Sequence, residues 1–418
     1  MGLCTGLVLM GSLTLLFPRD RGEDLAFYRH VRDLVQNEFV REVDERELLD
    51  GALTGMLQSL DEYSRYYVHE EVERIDRETR GEFRGVGVVF RRPTSAGQVL
   101  FPLDGSPAQR VGLRVGDRLV SVQGREVEGM EDGGLQDALR NFDDDGLALQ
   151  VESLDGVRRN VQLHPEAIID PTLRHVSVLD EQRGVGYVSI HSFSRRTTAE
   201  FDEAIAWLRA RGMQGLVLDL RGNPGGVLDA ALAIANRFVP DGALLTTASR
   251  NGTETTQADE ERCNLAGLPL VVLVDEDSAS ASEVLAGALQ DHRAGVLVGT
   301  PTYGKGAVQT LARYESQRAI VKLTTSYYTT PAGRVIDRGL AEDGQAGLTP
   351  DLVVELDREQ RAAVRNYLAE YGPPPSALED LHAWEQSEGA LLYARAPQDP
   401  QLEAARALLD GSLATAAP

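Results

Sequence analysis

The chain has 418 residues, 42% of them hydrophobic, and a formal net charge of −23 at pH 7. That length accommodates two or three domains with sizeable cores. The acidity excludes a nucleic-acid partner, because neutralising phosphates needs a basic stripe.

The opening MGLCTGLVLMGSLTLLF is apolar and then turns charged at Arg19. Residues 1–20 are expected to be a signal segment or membrane anchor, which puts the protein outside the cytoplasm, at a bacterial cell envelope or an equivalent lumen. A buried core helix is the alternative. Cys4 and Cys263 are the two cysteines, and no structural disulfide is expected between them.

Residues 21–80 read as helices, from AFYRHVRDLVQNEFV to HEEVERIDRET. Residues 81–168 change to short strands and glycine turns. Within them lie Gly105-Ser-Pro-Ala108, Ala108-x3-Gly112-Leu113 and Val115-Gly-Asp-Arg-Leu-Val120. These spaced elements resemble a PDZ domain, a module that adds a peptide to a sheet edge and holds its terminal carboxylate with backbone N–H groups. Arg84, Gly85, Val86, Gly87 and Val88 are the expected carboxylate loop, with a plain glycine turn as the alternative. Asp143–Asp145 reads as a solvated acidic loop rather than a metal site.

Residues 169–355 alternate strands with helices, as in a layered α/β domain. GVGYVSIHSF, GLVLDL and LPLVVLV are strands; FDEAIAWLRARG, VLDAALAIANRFV and EVLAGALQDH are helices. The turn RGNPGG exposes N–H groups at a helix N-terminus, suited to an oxyanion or to a phosphate. Ser278, Ser280 and Ser282 alternate on the turn after LPLVVLV. Ser280 and Glu283 form a capping box, yet such a turn also displays nucleophiles.

A nucleophile needs a base. Among the lysines and arginines all except Lys305 and Lys322 are arginine, which stays protonated, whereas a buried amine can become neutral. Lys305 lies between two glycines, with Gln309 four residues on. Lys322 sits in the strand AIVKLTTSYY, where a sheet-face or snorkelling role is expected. Residues 356–418 are again helical and charged, interrupted by three prolines at 373–375.

Taken in order, LDEYSRYY, the PDZ-like region, GYVSIHSFS, LVLDLRGNPGG, SASASE, PTYGKGAVQ and LTTSYYTTPAGR resemble the carboxyl-terminal processing (tail-specific) serine peptidases. The resemblance covers most of residues 25–355. It implies a crotonase/ClpP-like α/β protease core with an inserted PDZ domain and helical N- and C-terminal segments. It implies an endopeptidase that recognises protein C-termini and works through an acyl-enzyme. Ser280 is then the nucleophile, Lys305 the base and Gln309 its support, with oxyanion N–H groups from Ala281 and from Gly225 or Gly226. No metal or organic cofactor is implied. The partners are protein or peptide substrates with free C-termini, while N-terminal membrane attachment and a homo-oligomer stay open.

The chain departs from the family at LRNFDDDG, which stands in place of an Arg-Gly-Pro-like turn around Arg140. It also carries a longer loop before Thr349-Pro-Asp351. Three rival readings compete. One is a Ser-His-Asp hydrolase using Asp291-His292, another a PDZ scaffold on an inactive core, and the third an acyl-CoA enzyme of related fold.

Overall fold

The computed structural model describes residues 21–91, 97–131, 133–140, 146–341, 346–389 and 396–416. The apolar opening, Asp143–Asp145 and residues 342–345 of the loop ahead of Thr349 lie outside the described residues. No described helix is long and apolar enough to cross a membrane.

The N-terminal region holds α1 (Arg21–Glu38), α2 (Glu45–Gln58), β1 (Arg65–Val68) and α3 (Glu70–Arg80). Strand β1 was not expected in a stretch read as helical. Its Arg-Tyr-Tyr-Val is rich in strand formers, and a distant partner strand supplies the pairing that local sequence cannot.

The PDZ-like region comprises β2 (Glu82–Gly85), β3 (Val88–Phe90), β4 (Val99–Pro102), α4 (Pro107–Arg110), β5 (Arg118–Val122), β6 (Arg125–Glu126), α5 (Gly134–Arg140), β7 (Leu147–Glu152), β8 (Arg158–Leu163) and β9 (Glu166–Ile169). Its strands pair antiparallel throughout, and Leu119, Leu135, Leu147 and Val151 fill one core.

The layered domain runs through β10 (Leu173–Asp180), β11 (Val185–Ile190), α6 (Thr197–Arg209), β12 (Gly215–Asp219), α7 (Leu228–Phe238), β13 (Ala243–Ser249), β14 (Gly252–Gln257), β15 (Leu270–Val274), α8 (Ala281–Asp291), β16 (Val296–Gly299), β17 (Ala307–Tyr314), β18 (Ala319–Thr329) and β19 (Leu352–Val353). Six strands form a sheet in the order β10-β11-β12-β15-β16-β19, parallel from β11 onward. A second sheet joins β1, β18, β13 and β14, with β17 also on β18.

Period-two alternation explains why β12 and β15 are apolar at every position. Leu216, Leu218, Val272 and Val274 face a core shared with α6, α7 and α8. Val217, Val271 and Leu273 face the opposite side, where Ala405 and Leu409 of α11 (Pro400–Ala416) cover them. Between core and α11, the C-terminal segment forms α9 (Arg358–Ala369) and α10 (Pro375–Glu388). Trp384 and Leu381 of α10 pack with Phe101 and Leu103 of the PDZ-like region. The whole is mixed α/β with helical N- and C-terminal segments, as the sequence leads one to expect.

Candidate active site

Adjacent parallel strands β12 and β15 end side by side, and each leads through a turn into a helix, α7 and α8. Crevices beyond the carboxyl ends of such strands bind ligands, because two helix N-termini converge there. The turn after β12 is Leu220–Gly226; the turn after β15 carries the serines.

The two turns are laced together. Asp275 accepts from the Gly222 N–H at 2.9 Å and from the Ser278 N–H at 3.0 Å. Burial pushes its carboxyl up to about 6. The Asn223 carbonyl accepts from the Ala279 N–H at 3.0 Å and from the Ser282 hydroxyl at 2.9 Å. The Ser278 hydroxyl donates to Leu220 O at 2.8 Å. Ser278 and Ser282 are fully buried and held in these bonds, whereas Ser280 is only partly buried. Its backbone sits at φ 57°, ψ −117°, a strained conformation for a residue with a Cβ. Strain of this kind projects a side chain from a sharp strand-to-helix turn.

Gly225 lies against that turn. A Cβ added there would fall 2.9 Å from the Ser280 Cβ and 3.0 Å from the Ala281 nitrogen. Ala281 opens α8, so its N–H has no intrahelical acceptor. The Gly225 N–H is already given to Asn223 Oδ1 at 2.9 Å. Phe193 takes Gly225 O and gives its own carbonyl to the Val227 N–H, a parallel bridge that turns the Gly226 N–H away from Phe193.

Glu283 joins the serine turn to the lysine loop. Its buried carboxylate accepts from the N–H of Ser280 (2.9 Å), Gly304 (2.7 Å) and Lys305 (2.9 Å) and from the Thr302 hydroxyl (2.6 Å). Burial raises its pKa, and those four donors oppose the rise. The Tyr328 hydroxyl forms a second tether, contacting the carbonyls of Ser280 and Lys305.

The Lys305 amine lies over the Tyr63 ring, 4.7 Å from its centre. Burial is the first cause that lowers its pKa below 10.5, and Lys322 the second; Glu283 and Glu62 act against them. Lys322 is likewise lowered by burial and then by Arg65, its partner across β1. Gln309 stands on β17 with its amide donating to Ala307 O at 3.0 Å and toward Thr324 Oγ1 at 3.5 Å. A cavity of about 480 Å³ opens beside Lys305, with Pro224 and Ala279 on one side and Leu356, Val364 and Leu368 on the other.

Asp291 and His292 sit at the far end of α8 from Ser280. Eleven helical residues span about 16 Å. His292 Nε2 meets Ala243 O at 2.7 Å, and Asp291 pairs with Arg334. That geometry leaves the Asp291-His292 triad unassembled.

The PDZ-like loop lies elsewhere. The carbonyls of Val86 and Gly87 are occupied by the N–H groups of Ala108 and Leu103. Leu135 and Leu139 of α5 pack with Val86, Val88 and Phe90, and β3 pairs with β4 alone among the described strands. The side chain of Arg140 is outside the description. Tyr63, Tyr328 and the double duty of Glu283 were not foreseen. The capping-box spacing was the one visible signal.

Among the described residues no group of three or more His, Cys, Asp or Glu is arranged to hold a metal ion.

Comparisons with known proteins agree on one family. Residues 184–354 match "Peptidase family S41", residues 102–147 "PDZ domain" and residues 18–71 "Activating protease CtpB N-terminal domain". The chain is 30% identical to a carboxy-terminal-processing protease of Bartonella bacilliformis, covering 98% of this chain and 94% of that one. It is 32% identical to the carboxy-terminal processing protease CtpA of Bacillus subtilis, covering 77% and 67%. A solved structure from Bacteroides fragilis, assigned to the S41 proteases, matches at 16% identity and a TM-score of 0.50, covering 90% and 99%; it bears on fold alone.

Proposed function

Because the chain belongs to peptidase family S41, among its carboxy-terminal processing serine proteases with a PDZ domain, we propose that it is an endopeptidase built on a Ser280–Lys305 dyad. Neutral Lys305 takes the Ser280 proton while the hydroxyl attacks a peptide carbonyl carbon. The oxyanion is met by the N–H groups of Ala281 and Gly226, Gly225 having spent its own on Asn223. The C–N bond then breaks, the leaving amine takes the proton from Lys305, and an ester to Ser280 remains. Water attacks that ester, passes a proton to Lys305, and restores the serine.

The observation that carries this reading is the pair of tethers, Glu283 and Tyr328, each bonded to the backbone of both Ser280 and Lys305. They tie the backbone of the partly buried serine of the turn to that of the lysine whose amine has a lowered pKa. Gln309 is assigned a supporting role that needs its amide to swing from Ala307 toward the amine. We take residues 81–168 as the PDZ domain and 169–355 as the protease core. Within the former, the open edge of β3 beside α5 suits an added peptide strand, with the Arg84–Val88 loop at its carboxylate. Substrates are then proteins with free C-termini, met outside the cytoplasm at a bacterial envelope.

Substitution tests the dyad. Ser280→Ala and Lys305→Ala should each abolish cleavage of an unstructured reporter without unfolding the chain. Lys305→Arg should also be inactive, because a guanidinium cannot accept the proton. Normal turnover by Ser280→Ala would overturn the assignment, and loss of activity in His292→Ala would revive the triad.

A further inference from the structure

Arg221 opens the turn that carries Gly225 and Gly226, and its guanidinium is buried with every N–H engaged. Nε donates to Asp219 Oδ1 at 3.0 Å; Nη2 donates to Asp219 Oδ2 at 2.6 Å and to Asp399 Oδ2 at 2.7 Å. Nη1 donates to Asp399 Oδ1 at 3.0 Å and to Gln401 Oε1 at 2.9 Å. Asp219 also accepts from the Tyr187 hydroxyl at 2.7 Å. Asp219 and Arg221 are near neighbours on one strand end. Asp399 and Gln401 arrive from the C-terminal arm, 178 and 180 residues further along.

The arm's carboxylate is not needed for neutrality, since Asp219 already balances Arg221. Bringing a second carboxylate out of water is costly, and the cost is offset only where geometry is held well. A planar guanidinium gripped in two forks cannot rotate or slide. From Arg221 the chain runs directly into Gly222, bonded to Asp275, and Asn223, bonded to Ala279 and Ser282. Gly222, Gly225 and Gly226 all have positive φ, so the turn itself supplies little stiffness.

On the reading that this turn binds the oxyanion, we propose that Asp399, with Gln401, is a positioning residue for it. The C-terminal arm thereby completes the active site of the core. Gln401 also lines the cavity beside Lys305, and its amide holds Val354 O at 2.8 Å. The arm is thus pinned both at the site and just past the last strand of the sheet.

Asp399 has a plainer role that must be separated from this one. It caps α11, accepting from the Leu402 N–H at 3.1 Å ahead of Pro400. Asparagine and serine cap as well as aspartate but do not grip a guanidinium in a charged fork. The test compares full-length Asp399→Asn, Asp399→Ser and Gln401→Leu with the parent, using a chromogenic activated ester in pre-steady-state mixing. The burst amplitude counts competent sites, and the burst rate constant measures acylation at each.

The expected result is an amplitude near one per chain, half-saturation of the burst rate within about twofold, and acylation slowed about 10- to 100-fold together with deacylation, which uses the same oxyanion turn, the scale of a misplacement of up to 1 Å. A reduced amplitude with an unchanged rate constant would mean a structural cap only, and would overturn the proposal. So would parental acylation in all three variants. Ser280→Ala run alongside separates the two levels. A burst that persists there refutes the nucleophile assignment, and with it the premise. A burst lost there but unaltered in the Asp399 variants refutes the positioning role alone.

Discussion

At the residue scale, the chain places one of its only two lysines where a titratable amine is useful. Lys305 faces Tyr63 and Glu62 from the segment before β1, Glu283 from α8 and Lys322 from β18. Burial and the Lys322 charge disfavour the ammonium, while the two carboxylates favour it. The active form being neutral, activity should climb as pH rises through the lowered pKa of Lys305. Removing the Lys322 charge lets that pKa rise, so Lys322→Met should move the climb to higher pH, and Lys322→Arg should move it less. A pH profile of kcat/KM decides, and an unmoved profile in Lys322→Met would dissociate the two lysines. Gly225→Ala tests the other half of the site. Its methyl would press on the Ser280 Cβ and the Ala281 nitrogen, so kcat should fall about 100-fold, comparable with loss of an oxyanion donor.

At the element scale, the site depends on two strand–turn–helix units kept in register by side chains rather than by sheet bonds alone. Glu283 is the central tie, because one carboxylate satisfies donors from the start of α8 and from the loop before β17. Cutting it back to alanine leaves four donors without that partner in a buried place, at about 1–3 kcal/mol for each that water cannot reach. Glu283→Ala should therefore lower the urea midpoint by more than Ser280→Ala and abolish cleavage as well. Equal midpoints for the two variants would show that the tie carries little stability.

At the scale of the whole molecule, the C-terminal arm touches the parallel sheet, the cavity and the PDZ-like region. Its α11 seals the second face of the parallel sheet, its α9 walls the cavity, and α10 sets Trp384 against the PDZ-like region. Truncating a buried tryptophan costs about 3–5 kcal/mol. Trp384→Ala should thus destabilise the PDZ-like region first, visible as earlier hydrogen exchange in β4 than in β12. Simultaneous exchange would indicate one cooperative unit. Docking of substrate tails is tested by amidating a reporter's C-terminus, which removes the charge but not the scissile bond. The amidated peptide should be cut more slowly, and equal rates would count against tail docking while leaving the peptidase intact.

Much of this was legible in the sequence. Apolar runs bounded by glycine turns marked β11, β12 and β15, helical spacing marked α6, α7 and α8, and the scarcity of lysine singled out Lys305. Those features are local, set by side-chain period and by chemistry that one residue type supplies. What tertiary structure decided was every relation between segments distant in the chain. Strand β1 formed inside a stretch read as helical because β18 offered it an edge. Gln309, four residues from Lys305, has its amide on Ala307 and Thr324, since strand pairing and not spacing sets its direction. Glu283 looked like a helix cap and also bridges two loops. Asp399 and Arg221, 178 residues apart, carry no mark of each other, because an ion pair needs only proximity, and proximity is what folding supplies.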